Sequence, residues 1–210
     1  MGLGLGFRLA AAGGVGAYID FDGRDQRRSG EFSQGCGYYL GLGIVFDGGG
    51  DDVSASDRYG IGSAAHQAAG VAIDLGGNDS YACRTAAHLG AAWDESLGVF
   101  HDAAGDDSYR TDGLAVGAAA QQAFGIALDR AGRDQYRAFG GAVLGASSDN
   151  EYHFDATGLG SVALFLDLAG LDLYPAVRQN DAVQASADAA AARLSGQDSV
   201  FLDERSATAP

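Results

Sequence analysis

Short apolar runs recur along the chain, each opened by a small residue and closed by an aspartate. AYI precedes Asp20, IVF Asp47, VAI Asp74, VFH Asp102, IAL Asp129 and LFL Asp167. Four residues before each aspartate stands Gly16, Gly43, Gly70, Gly98, Gly125 or Ala163. Runs of this length are too short for helices and read as strands. Behind each aspartate the frame D-x-x-G-x-D predicts a type I turn, with Asp at the first position and Gly at the fourth. The segment after the turn alternates again and reads as a second short strand. Tyr81, Tyr109, Tyr136 and Tyr174 stand seven residues after their lead aspartates; Arg27 and Ser54 take that place in the first two copies.

The lead aspartates are spaced by 27, 27, 28, 27 and 38 residues. A fixed period between about 20 and 50 residues marks a repeat architecture. The last step holds one unit plus an insertion within 145–157, GASSDNEYHFDAT from Gly145. Small-residue stretches such as GIGSAAHQAAG (Gly60–Gly70) complete the unit. They suit either a close-packed third strand or a short Ala-rich helix, and their repeated glycines favour strand and turn, since each costs a helix about 1 kcal/mol.

The pattern therefore predicts an all-β protein, a parallel β-solenoid (β-helix) of about six coils with a period of about 27 residues. The repeat domain spans 1–178, and 179–210 forms a C-terminal cap and tail. Asn180–Ser195 reads as a capping helix, with Val183, Ala187 and Ala190 on one face, and DSVFLDE (Asp198–Glu204) as a final strand. A leucine-rich repeat lacks its Leu/Asn frame here, and a propeller blade needs about 40 residues.

Composition changes the picture in one respect. The net charge is −15, with 13 arginines, no lysine, and 24 aspartates against 4 glutamates. Short carboxylates cap turns and bind cations. An acidic chain repels phosphate backbones, which argues against nucleic acid as a partner. No apolar run reaches the roughly 18 residues of a membrane span. Cys36 and Cys83 fall in different columns of the repeat and imply neither a disulfide framework nor a metal site. The opening MGLGLGFRLAAAGGVGAY lacks a basic segment followed by a clean apolar core, so no secretory signal is read there. The expectation is a piece of a longer extracellular or cell-surface protein.

Stacking lays like charges about 5 Å apart, a repulsion of roughly 1 kcal/mol per pair in water and several at an interface. Either backbone N–H groups or cations must offset it. The candidate cation ligands are the second aspartates, Asp25, Asp52, Asp79, Asp107, Asp134 and Asp172, and the lead aspartates, Asp20, Asp47, Asp74, Asp102, Asp129 and Asp167. Turn capping competes with this role, as does pairing with Arg28, Arg110 and Arg137. The tyrosines read as a packing ladder.

GGNDSY (Gly76–Tyr81) and AGDDSY (Ala104–Tyr109) resemble the G-x-D-x-aromatic part of the RTX-type calcium-binding nonapeptide. That resemblance implies Ca²⁺ held by the second aspartate of each unit. It covers about six residues per unit, and the family repeats every nine residues instead of 27, so its β-roll does not carry over.

Two places depart from the repeat and are candidate sites for a carbohydrate or surface ligand: Trp93, Asp94 and Glu95, flanked by His88 and His101, and Asp149, Glu151, His153 and Asp155 in the insertion. No nucleophile elbow, phosphate loop, zinc-protease or dinucleotide motif is present. The expected function is a structural or binding repeat module stabilised by Ca²⁺. The alternative is a carbohydrate-active enzyme, a polysaccharide lyase or glycoside hydrolase, on the same scaffold.

Overall fold

The structure, a computed structural model, describes residues 2–6, 12–139, 144–147, 160–175, 183–185 and 197–203. The first coil holds β1 (Gly4–Leu5), β2 (Val15–Ile19) and β3 (Gln26–Glu31). The second holds β4 (Gly37–Tyr38), β5 (Leu42–Asp47) and β6 (Val53–Arg58), and the third β7 (Ala64–Ala65), β8 (Ala69–Asp74) and β9 (Ser80–Cys83). The fourth holds β10 (Ala92–Trp93), β11 (Leu97–Asp102) and β12 (Ser108–Asp112), and the fifth β13 (Ala119–Ala120), β14 (Phe124–Asp129) and β15 (Gln135–Phe139). Then follow β16 (Ser161–Asp167), β17 (Val183–Ala185) and β18 (Gln197–Asp203).

Equivalent strands pair in parallel, which makes three sheets around one interior: β1-β4-β7-β10-β13, β2-β5-β8-β11-β14-β16-β18, and β3-β6-β9-β12-β15. This is the parallel β-solenoid that the period demanded. Five coils have strands on all three sides. The sixth adds β16 and touches the two shorter sheets through single bridges, Ala119 to Ser147 and Gln135 to Leu173. The register survives the long step, because Asp129 faces Asp167 as Asp102 faces Asp129. The small-residue stretches are two-residue strands, and the described residues contain no helix.

Two expectations need correction. Val183–Ala185 is a strand antiparallel to β18, so no helix runs unbroken through Asn180–Ser195; the rest of that segment lies outside the described residues. The final strand is present as β18. The D-x-x-G corner is also not a type I turn. Its glycine N–H donates to the next coil instead of back to the aspartate: Gly50 to Gly76 O at 2.9 Å, Gly77 to Ala104 O at 3.0 Å, Gly105 to Ala131 O at 2.9 Å. Backbone at the corner thus continues the inter-coil ladder. Glycine is required because a Cβ on Gly77 would lie 1.8 Å from the Gly50 carbonyl oxygen of the coil before.

Strand parity sorts the interior. Along β8, Gly70, Ala72 and Asp74 are buried while Ala69, Val71 and Ile73 are half-exposed. Stacking then builds an inner column Val45, Ala72, Phe100, Ala127, Phe165, Phe201 on the long sheet. Large and small members alternate through its middle, and the rings fill the space beside alanine. Opposite stands the tyrosine ladder, with stacked rings 5.1 Å (Tyr81–Tyr109), 4.6 Å (Tyr109–Tyr136) and 5.0 Å (Tyr136–Tyr174) apart. Phe100 and Phe165 meet that ladder edge-on, the favoured aromatic geometry.

Candidate cation site

The same parity carries the aspartates inward. The lead aspartate shares the inner face with the glycine and the core residue of its strand. The second aspartate lies two residues before the tyrosine and shares its direction. Asp47, Asp52, Asp74, Asp79, Asp102, Asp107, Asp129, Asp134, Asp167 and Asp172 are all buried, none more than 5% exposed. Asp20 and Asp25, in the first coil, are half-buried. The aspartate corner is therefore an internal acid spine.

Each column has its own hydrogen bonds. A second aspartate accepts through Oδ1 from the backbone N–H of its counterpart one coil earlier: Asp52 from Asp25 and Asp79 from Asp52 at 2.6 Å, Asp107 from Asp79 at 2.6 Å, Asp134 from Asp107 and Asp172 from Asp134 at 2.7 Å. Capping by the second aspartates thus runs between coils. The lead aspartates accept from the tyrosines. Tyr81 Oη lies 2.8 Å from Asp74 Oδ2 and 3.0 Å from Asp102 Oδ2; Tyr109 Oη lies 3.2 Å from Asp102 Oδ2 and 2.8 Å from Asp129 Oδ2. Tyr136 Oη continues to Asp129 at 2.7 Å and Asp167 at 3.3 Å, and Tyr174 Oη meets Asp167 at 2.5 Å. Asp47 and Asp74 also accept from the N–H groups of Gly49 and Gly76, at 3.0 and 3.1 Å.

What these bonds leave over defines the site. Among the described residues, Asp47 Oδ2, Asp79 Oδ2, Asp102 Oδ1, Asp107 Oδ2, Asp129 Oδ1 and Asp134 Oδ2 are buried without a hydrogen-bond partner, Asp47 Oδ2 standing against Arg27. Carboxylate oxygens gather in triads within 4.8 Å of one another: Asp79, Asp102 and Asp107; Asp107, Asp129 and Asp134; Asp134, Asp167 and Asp172; and Asp47, Asp52 and Asp74. A calcium ion takes oxygens at about 2.3–2.6 Å, so two ligands on opposite sides of it stand about 4.8 Å apart. Each triad fits within that span and offers three of the six to eight oxygens calcium takes.

Burial, reinforced by neighbouring carboxylates, raises the pKa values far above the usual carboxylate range. Asp79 is pushed up to about 7, Asp107 to about 8, Asp134 to about 9 and Asp102 to about 10. Without a cation Asp102, Asp107 and Asp134 therefore hold protons at neutral pH, whereas the pKa of Asp47, beside Arg27, is lowered. Counting agrees: the four phenols supply four protons to seven contacts with the lead carboxylates.

Arginine pairing occurs, but through another residue. Arg28, Arg110 and Arg137 are exposed. Arg27, in the tyrosine column, forms buried ion pairs with Asp47 and Asp52. Sequence reasoning missed it, although its place in that column was the available signal.

Trp93, Asp94 and Glu95 do not break the repeat. They sit in register with Ala65, His66 and Gln67 of the coil before and Ala120, Gln121 and Gln122 of the coil after. At this corner two consecutive residues per coil are left-handed, as with Asp94 and Glu95 at φ 60° and 53°. Their side chains bridge coils: Asp94 pairs with His66, Glu95 accepts from Gln67 at 2.6 Å, and Trp93 Nε1 donates to Gln121. His88 is buried elsewhere, 3.1 Å from Ser56 Oγ, with its pKa lowered to about 4 by burial. Asp149, Glu151, His153 and Asp155 lie outside the described residues. Cys36 and Cys83 are free and buried.

Among the described residues no helix is long and apolar enough to cross a membrane. Fold and interior define a β-solenoid repeat module with a buried aspartate spine. No family model, curated protein or solved structure matches the chain.

Proposed function

We propose that the chain is a structural and binding module of a surface or secreted protein, and that Ca²⁺ ions in the interior triads weld its coils together. The observation that carries this reading is the column of unpaired carboxylate oxygens buried between coils. Ionised carboxylates so close together repel by about 4 kcal/mol per pair at an effective dielectric near 20, and a divalent cation replaces repulsion by attraction. Each triad draws ligands from two successive coils, so an ion there adds a direct link between neighbours to their backbone and side-chain bonds. The local resemblance of Gly76–Tyr81 and Ala104–Tyr109 to calcium-binding repeats agrees with it. Extracellular calcium modules bind at about 10⁻⁴–10⁻³ M, which fits a surface or secreted setting.

The test is thermal unfolding at pH 7.5 in excess chelator and at rising CaCl₂, with calorimetric titration. Calcium at a hundredfold excess over its dissociation constant stabilises by about 2.7 kcal/mol per site. A melting temperature indifferent to both additions, with no heat of binding, removes the cation and leaves a protonated spine.

A further inference from the structure

Arg27 stands in the tyrosine column, in register with Ser54 and, one coil further, with Tyr81. The other interior members of that column are neutral; this one carries a permanent charge. It is 4% exposed, and the small Ser54 beneath it gives the guanidinium its path to Asp47 and Asp52. A cavity of about 20 Å³ remains there, lined in part by Arg27, Ser54, Asp47, Asp74 and Tyr81. Burying a guanidinium costs several kcal/mol unless paired carboxylates offset it. Here two do, and they belong to a triad of the same make as the other three, completed by Asp74.

We infer that Arg27 is a tethered counter-ion, occupying in the Asp47–Asp52–Asp74 triad the place a divalent cation takes in the remaining three. The inference rests on the calcium reading and deepens it: among the described residues the spine has four triads, and these bind one ion fewer. Two observations carry it independently of the clustering itself. Among the described residues the second aspartates Asp79, Asp107 and Asp134 each keep a buried Oδ2 without a hydrogen-bond partner, whereas the matching Oδ2 of Asp52 accepts from the guanidinium, which also stands against Asp47 Oδ2. A positive group has also been built into the fold at one such place. A permanent positive charge thereby stands without metal at the end of the spine nearest the first coil, and the calcium-dependent coils are the later ones.

The experiment counts Ca²⁺ bound per chain by equilibrium dialysis and follows melting in chelator and in calcium, for wild type, Arg27→Gln, Arg27→Lys and Arg27→Gln/Asp52→Asn. Arg27→Gln is expected to melt below wild type in chelator, to bind one Ca²⁺ more, and to regain its melting temperature as that ion binds. Arg27→Lys keeps the charge and the wild-type count. In chelator, adding Asp52→Asn to Arg27→Gln removes an uncompensated charge and raises the melting temperature again. Equal counts in wild type and Arg27→Gln overturn the inference and leave the calcium reading standing. Failure of Arg27→Gln to fold even at millimolar calcium overturns it as well. If wild type binds no calcium, the calcium reading falls and the inference with it; recovery in the double variant then still identifies Arg27 as a counter-ion to Asp52.

Discussion

Replacing Tyr109 by phenylalanine deletes one oxygen from the centre of the spine and keeps the ring. The hydroxyl lies 2.8 Å from Asp129 Oδ2 and 3.2 Å from Asp102 Oδ2, and the residue is 1% exposed. Stacking on Tyr81 and Tyr136, with centroids 5.1 and 4.6 Å away, is unaffected because it needs only the ring. The loss is thus confined to hydrogen bonding. Asp102 keeps Tyr81 and Asp129 keeps Tyr136 as donors, so neither carboxylate loses every phenol. Removing a buried partner while its acceptors stay costs about 1–3 kcal/mol. At about 2–4 °C per kcal/mol for a domain of this size, the melting temperature falls by about 2–12 °C. Tyr59→Phe is the control: its phenol oxygen meets only the exposed Arg58 Nη2, at 3.2 Å, and its removal should shift stability by less than about 0.5 kcal/mol. Scanning calorimetry of the three proteins in chelator decides it. Tyr109→Phe melting with wild type would mean that the phenols pack against the aspartates without sustaining them.

Stability of the metal-free protein should fall as pH rises, the reverse of ordinary acid denaturation. Asp79, Asp107, Asp134 and Asp102 have folded-state pKa values of about 7, 8, 9 and 10, above the unfolded value near 4. The folded state therefore binds more protons between these limits, and its stability declines from about pH 4 up through the folded values. Urea midpoints in chelator at pH 5, 7 and 9 measure it, and a rising series contradicts the protonated spine. Gly77→Ala sets a methyl 1.8 Å from the Gly50 carbonyl oxygen at φ +145°, so overpacking and backbone strain together should cost about 2–6 kcal/mol by chemical denaturation. An unperturbed variant would show that the corners are not in close contact.

Much of this architecture can be read off particular residues. The recurrence of Asp20, Asp47, Asp74, Asp102, Asp129 and Asp167 is the coil length, and Asp129 facing Asp167 across the long step confirms that the extra residues leave the register alone. The columns also contained the inward direction of the carboxylates. In G-h-h-h-D the glycine, the middle apolar residue and the aspartate share parity, as the second aspartate and the tyrosine do. Reading Asp74 and Asp79 as turn caps or cation ligands left their direction open, and parity turns both inward. Asp94 and Glu95 misled in the opposite sense. Acidic residues beside a tryptophan suggest a site, yet they are one rung of a corner that His66 and Gln121 also occupy.

Spacing and parity belong to the chain, because a strand alternates its side chains wherever it lies. From them come the coil, its three sides in outline, the tyrosine stack and the columns of aspartate. The triads required closure. A carboxylate of one coil meets two of the same or the next coil only after the sheets have wrapped around a common interior, and no local pattern states how far apart opposite walls will stand. Arg27 shows the difference most clearly: its column was visible in the repeat, but its reach over Ser54 to Asp47 and Asp52 depends on the space a missing tyrosine leaves, which exists only in the packed solenoid.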